Sequence, residues 1–307
     1  MTLHSSNPYD AGATPDMDGT GEFLAEKLSD LQALSMESKK AEHAEADNNT
    51  DFVLSFHTPL VAGAPGYWLA LPNKLDPQKP PLIAVHGIMR GAKCQAESFA
   101  AEAARQGRAV IAPLFDTRDW KDYQKAAGRC RADLGMLAVL KDAALRGLGR
   151  IMKIDLVGYS GGAQFVHRFA LLYPHMVRRV TVVAAGWYTF PQAHGFPYGI
   201  GFAEDNKLKA PICPPQTLAA FLQLDIRVFV GSADTDRDEN LRKNPSIDKQ
   251  QGDTRVARAQ NWTIALNKAA HDRGLNRNPA ELSIIQGASH SFRECIEASD
   301  LVETVLN

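Results

Sequence analysis

A chain of 307 residues with 45% apolar and 22% charged residues has the composition of a globular protein that can bury a substantial core. Its formal net charge of −1 supplies no global field for nucleic acid or an anionic membrane surface. No run approaches the roughly 20 apolar residues that a bilayer span requires.

The first 22 residues, MTLHSSNPYDAGATPDMDGTGE, carry acids and no apolar core, unlike a secretory leader or an Arg-rich transit peptide. The four cysteines (Cys94, Cys130, Cys213, Cys295) show neither a CxxC pair nor zinc-ligand spacing. Unpaired thiols in a reduced cytoplasm are the simplest account, with two distant disulfides as the alternative. The expectation is a cytoplasmic protein without a metal.

Residues 1–50 stand apart as a polar, acidic arm. Leu24, Leu28, Leu31 and Met36 recur near helical spacing, which predicts one helix over 22–45. That helix suits a partly disordered arm lying on the domain surface; a homodimerisation helix is the alternative.

From residue 51 to 307 the pattern is that of a single α/β domain, a mostly parallel doubly wound sheet with crossover helices. Strands are predicted over 52–57, 67–71, 82–86, 109–114, 154–159, 180–185, 226–230 and 282–285. The first two are separated by Gly63, Pro65 and Gly66 without a helix between them, so they read as an antiparallel hairpin. Helices are predicted over 92–105, 131–145, 161–173, 255–271 and 291–306, with a short one near 217–221. In such sheets ligands gather at the carboxyl ends of the strands, and the chemistry is sought there.

The segment Ile154-Asp155-Leu156-Val157-Gly158-Tyr159-Ser160-Gly161-Gly162 reads strand, G-x-S-x-G, then helix. A sharp turn of this kind exposes the serine hydroxyl and sets it at a helix N-terminus, where free N–H groups favour developing negative charge. Ser160 is therefore the candidate nucleophile. The strand over 82–86 ends in His86-Gly87, and the next amide, that of Ile88, is the candidate partner of Gly161 N–H in an oxyanion hole; Met89 is the less favoured choice. His290 follows the last strand and suits a general base, because an imidazole titrates near neutrality. After the strand over 226–230 come Asp234, Asp236 and Asp238. Asp234 is the candidate orienting carboxylate with Asp236 as runner-up, while Asp238 is expected to pair with Arg237 or Arg242 in solvent.

The order Ser160, Asp234, His290, together with the elbow and the His-Gly loop, resembles the α/β-hydrolase superfamily over residues 51–307. The resemblance implies an eight-stranded sheet with its second strand antiparallel, a covalent acyl-enzyme and no cofactor. More loosely, the compact domain is similar to the esterase and polyhydroxybutyrate-depolymerase-like branch. A short cap insert of some 35 residues follows the sixth strand, and its Trp187 and Tyr188 are expected to line the substrate pocket with Phe196, Tyr198 and Phe202, or else to fill the loop's own core. Arg237 and Arg242 stand as solvated side chains or as ligands for a substrate carboxylate. The expected activity is a serine hydrolase acting on a small or medium, apolar or aromatic carboxylic ester, with no nucleic-acid or membrane partner. The alternatives are a thioesterase or acyltransferase on the same residues, and a catalytically silent binding protein of this fold.

Overall fold

The structure, a computed structural model, describes residues 51–201, 213 and 215–307. The helix expected over 22–45, with its dimerisation alternative, and Phe202 of the insert lie outside the described residues.

The β-branched runs become eight strands of one sheet: β1 (Phe52–His57), β2 (Tyr67–Pro72), β3 (Leu82–Val85), β4 (Val110–Pro113), β5 (Ile154–Tyr159), β6 (Val177–Val183), β7 (Asp225–Gly231) and β8 (Ala280–Ile285). Their order across the sheet is β1-β2-β4-β3-β5-β6-β7-β8. β1 and β2 form the expected antiparallel hairpin, β2 also runs antiparallel to β4, and all remaining pairs are parallel. β3 and β4 are buried along their whole length, which is why they read as unbroken apolar runs rather than alternating ones.

Helices cover both faces. On one lie α1 (Ala92–Arg105) and, at the chain's end, α7 (Phe292–Glu297) and α8 (Leu301–Leu306); Phe99, Ala103, Cys295, Leu301 and Val305 meet the sheet there. On the other lie α2 (Ala132–Ala143), α3 (Gly161–Leu172), α4 (Pro215–Phe221) and α6 (Arg255–His271), with Met136, Phe165, Phe169 and Trp262 at the centre of the larger core. Three local features depart from expectation. The helix over 131–145 runs into a wider turn at Ala144–Leu148, with Gly147 at φ 112°. The helix over 291–306 is two helices, because the Ser299 hydroxyl donates to Cys295 O at 2.6 Å and accepts from Leu301 N at 3.2 Å, ending one helix and starting the next. A seven-residue helix, α5 (Pro245–Gln251), was not anticipated although Asn244 caps it and Pro245 opens it. No helix among the described residues is long and apolar enough to cross a membrane.

The amino-terminal ends of the central strands are held by a charge cluster in which Arg108 and Asp155 are buried and Arg178 is exposed. Asp155 on β5 accepts from Arg108 Nη2 at 2.5 Å and Arg178 Nε at 2.8 Å, and Arg108 also donates to Pro80 O and Leu306 O. One carboxylate thus ties β5 to β6, to the β3 entry and to the end of α8. Removing it leaves the fully buried Arg108 guanidinium without its counter-charge. Asp155→Ala should therefore lower the unfolding free energy by roughly 3–5 kcal/mol in chemical denaturation.

Candidate active site

β5 ends at Tyr159 and α3 begins at Gly161, so the chain must reverse within one residue. Ser160 does this at φ 53°, ψ −111°, a sparsely populated conformation for a residue with a side chain. The turn is compressed on both sides. A Cβ on Gly158 would lie 2.3 Å from Gly162 O, and one on Gly162 would lie 2.1 Å from Val85 O, so neither position accepts a larger residue without moving backbone. Ser160 N donates to Val183 O at 2.8 Å, which anchors the elbow to β6.

The two other chemistry-bearing loops leave the ends of β7 and β8. Ser232 N donates to Ile285 O at 2.9 Å and Ala233 N to Ala288 O at 3.0 Å, so the loops are laced together. Asp234, fully buried, accepts from His290 Nδ1 at 2.7 Å; His290 Nε2 then accepts from the Ser160 hydroxyl at 3.1 Å. The carboxylate fixes the ring tautomer with the acceptor nitrogen turned to the serine. Tyr159 stacks on the imidazole at 5.3 Å between centroids. Ser291 caps α7 behind His290, and Glu294 accepts from Ser289 N at 2.7 Å. Asp236 is exposed and does not reach the imidazole, so the two candidate acids are separated by burial. Asp238 departs from expectation: it pairs with buried Arg255 at 2.9 Å, not with Arg237 or Arg242. Arg237 instead pairs with Asp248, and Arg242 lies near the Trp187 and Tyr198 rings.

The loop after β3 faces the elbow. A Cβ on Gly161 would lie 3.4 Å from Ile88 N, so the start of α3 and the loop after β3 lie against each other beside Ser160. Among the described residues neither the Gly161 nor the Ile88 amide has a protein acceptor. The loop's shape rests on His86, which sequence reasoning treated only as a strand end. Phe115 N donates to its Nε2 at 3.0 Å, its Nδ1 donates to Gly87 O at 2.7 Å, and the Tyr123 hydroxyl donates to His86 O at 2.7 Å. Arg90, at φ 62°, fastens the far side by donating to Phe115 O and Lys121 O. Burial drives the His86 pKa down from 6.5 to about 4, so the ring is neutral and serves as a two-ended spacer.

A cleft of about 320 Å³ opens at Ser160 and His290, walled by Ile88, Met89, Tyr159 and Phe292. Ile88 is 40% exposed and Met89 89% exposed at its mouth. Trp187 and Tyr188 are expected to line the pocket or to fill a core, and neither is among the residues that wall this cleft. Tyr188 is fully buried, stacks on Trp262 at 4.6 Å, and its backbone N and O are both held by the Gln251 carboxamide. Trp187 is 5% exposed and carries the buried Arg168 guanidinium over its ring at 4.0 Å. Thr189 is held just as firmly, its N donating to His167 Nε2 and its O accepting from Trp262 Nε1. The described start of the insert is therefore anchored in the larger core through Tyr188 and Phe190.

His86 and His167 are both buried with lowered pKa values, so protonation is disfavoured in the folded state. Their stabilising contribution is present above pH 6.5 and is lost as pH falls towards the folded-state value. For His86 this amounts to about 3 kcal/mol between pH 6.5 and 4. Urea unfolding across that window should show the loss, and His86→Gln, which cannot take up a proton, should show a smaller pH dependence.

No family model matches the sequence, and no curated protein sequence matches it. The fold does have counterparts among solved structures. Poly(aspartic acid) hydrolase-1 from Sphingomonas sp. KT-1 superposes with a TM-score of 0.69 at 23% identity, over 84% of this chain and 99% of that one. LpqC, a poly(3-hydroxybutyrate) depolymerase from Bordetella parapertussis, superposes with a TM-score of 0.65 at 25% identity, over 87% of this chain and 89% of that one. With its strand order, its antiparallel second strand and these likenesses, the chain has the α/β-hydrolase fold.

Proposed function

We propose that the protein is a carboxylic-ester hydrolase working through a serine-bound acyl intermediate. The observation that carries this reading is the hydrogen-bonded chain from buried Asp234 through His290 to the hydroxyl of Ser160. In the proposed sequence Ser160 Oγ attacks the ester carbonyl carbon while His290 Nε2 takes its proton. The amides of Ile88 and Gly161 hold the negative charge that develops on the carbonyl oxygen, and they are pre-set by a rigid loop and a helix start. His290 then returns its proton to the leaving alcohol, and the ester bond breaks. Water, deprotonated by His290, adds to the acyl group in the same way and releases the acid.

The substrate reading is a small or medium apolar ester. It rests on Ile88, Met89, Tyr159 and Phe292 around a cleft of about 320 Å³, not on the insert aromatics. A volume near the low end of ligand pockets suits a short acyl chain. The names of the two similar structures, a poly(aspartic acid) hydrolase and a polyester depolymerase, agree with hydrolytic chemistry in general.

A fluorophosphonate probe should label the wild type and leave Ser160→Ala unlabelled; equal labelling of both would refute the nucleophile. Turnover of p-nitrophenyl esters from acetate to octanoate should peak at short acyl chains. Ser160→Ala or His290→Ala should lower kcat by about 10⁶-fold if the three residues act as a unit.

A further inference from the structure

We infer that Arg255 is a positioning residue for the Asp234 carboxylate, bridging it to Asp238 and setting how much of its charge acts on His290. The inference rests on the hydrolase reading above and adds a residue to it.

Arg255 is the first residue of α6, capped by Thr254, and only 1% of it is exposed. Both facts are unfavourable for a cation. A helix N-terminus repels positive charge, and a guanidinium taken out of water is costly unless paired. A cation at this place is tolerated only with anionic partners. The contacts identify them. Arg255 Nη1 donates to Asp234 Oδ1 at 3.2 Å and to Asp236 O at 3.4 Å, while Nη2 reaches the Asp238 carboxylate at 2.9 Å. The other Asp234 oxygen, Oδ2, accepts from His290 Nδ1 at 2.7 Å. Both oxygens of the carboxylate are therefore committed, which fixes the plane in which it meets the imidazole.

The neighbouring charge on α6 is Arg258, fully buried and paired with Asp248 at 2.8 Å. Tyr159 stacks on the imidazole, while Tyr188 and Cys295 lie near the carboxylate; burial raises the pKa of all three, Cys295 to about 12, so they stay neutral. Glu294 is exposed and accepts from Ser289 N, and Asp236 is exposed. The chain His290–Asp234–Arg255–Asp238 thus places two carboxylates and one guanidinium in line behind the imidazole. With the guanidinium present, part of the Asp234 charge is offset. With Asp238 present, part of the guanidinium charge is offset in turn.

Opposite signs follow for the two partners. In Arg255→Met the full charge of Asp234 acts on His290, favours the imidazolium and moves the acid limb of the kcat/KM profile up by roughly 0.5–1 pH unit. In Asp238→Asn the guanidinium acts on Asp234 alone and the acid limb moves down. A general loosening of the fold would not give opposite signs, and a thermal melt of each variant is the check that it is folded. Acting only through Asp234, Arg255→Met should lower kcat about tenfold in the wild type and by less than about threefold in Asp234→Asn. Additive losses, or unshifted acid limbs in folded Arg255→Met and Asp238→Asn proteins, would overturn the role. Failure of a fluorophosphonate to label wild-type Ser160 is a separate outcome that overturns the hydrolase reading and this role with it.

Discussion

The site depends on one backbone conformation. Between β5 and α3 the chain turns at a single residue, Ser160, whose φ of 53° costs of order 1–3 kcal/mol for a residue with a side chain. Such a conformation persists only where its neighbours leave no relaxed alternative. Here β3 and β6 flank β5, Ser160 N is bound to Val183 O, and the Gly162 Cα lies against Val85 O. Relaxing the turn would require parting helix from sheet, which the Phe165 and Phe169 core opposes. The strain is offset by burial elsewhere, and its product is a hydroxyl standing clear of the sheet edge at a helix start.

Around that elbow the protein uses neutral polar groups as rigid spacers. His86 and His167 each accept from one backbone amide and donate to one backbone carbonyl, and Gln251 clamps both backbone polar atoms of Tyr188. A buried group with both hydrogen-bonding ends satisfied is worth more as a spacer than an apolar one, since shifting it leaves orphans on both sides. Two clusters of charge stand at opposite ends of the strands. At the amino ends of the strands the Arg108–Asp155–Arg178 cluster binds four segments together, and at the carboxyl ends Arg255 joins Asp234 to Asp238. The first serves cohesion, and the second lies next to the groups where the proposed chemistry occurs.

Some features were readable in the residues because they are local. β-branched runs of a few residues between turn formers specify strands, so six-residue β1 and β5 fall where the pattern places them, as do α1 and α6. The G-x-S-x-G segment needs only its own flanking strand and helix to declare an elbow. Short capped segments were harder. Asn244-Pro245 opens α5, and the Ser299 hydroxyl divides α7 from α8, yet seven- and six-residue helices carry too few turns to show periodicity.

By itself the sequence determined the α/β class, the hairpin at the start, the elbow serine and the position of His290 after the last strand, because each depends on neighbours within about a dozen residues. Only the tertiary structure decided which acid meets the imidazole, where Asp238 finds its partner and what Trp187 and Tyr188 do. Asp234 and Asp236 are two residues apart in one loop, and burial separates them through contacts with Arg255 and the His290 loop, 21 and 56 residues away. Trp187 and Tyr188 look the same in sequence whether they line a pocket or fill a core; Tyr188 packs on Trp262 and is held by Gln251, brought from α6 and α5, while Trp187 packs under the Arg168 guanidinium. Long-range packing selects among locally equivalent side chains, and no local pattern encodes that choice.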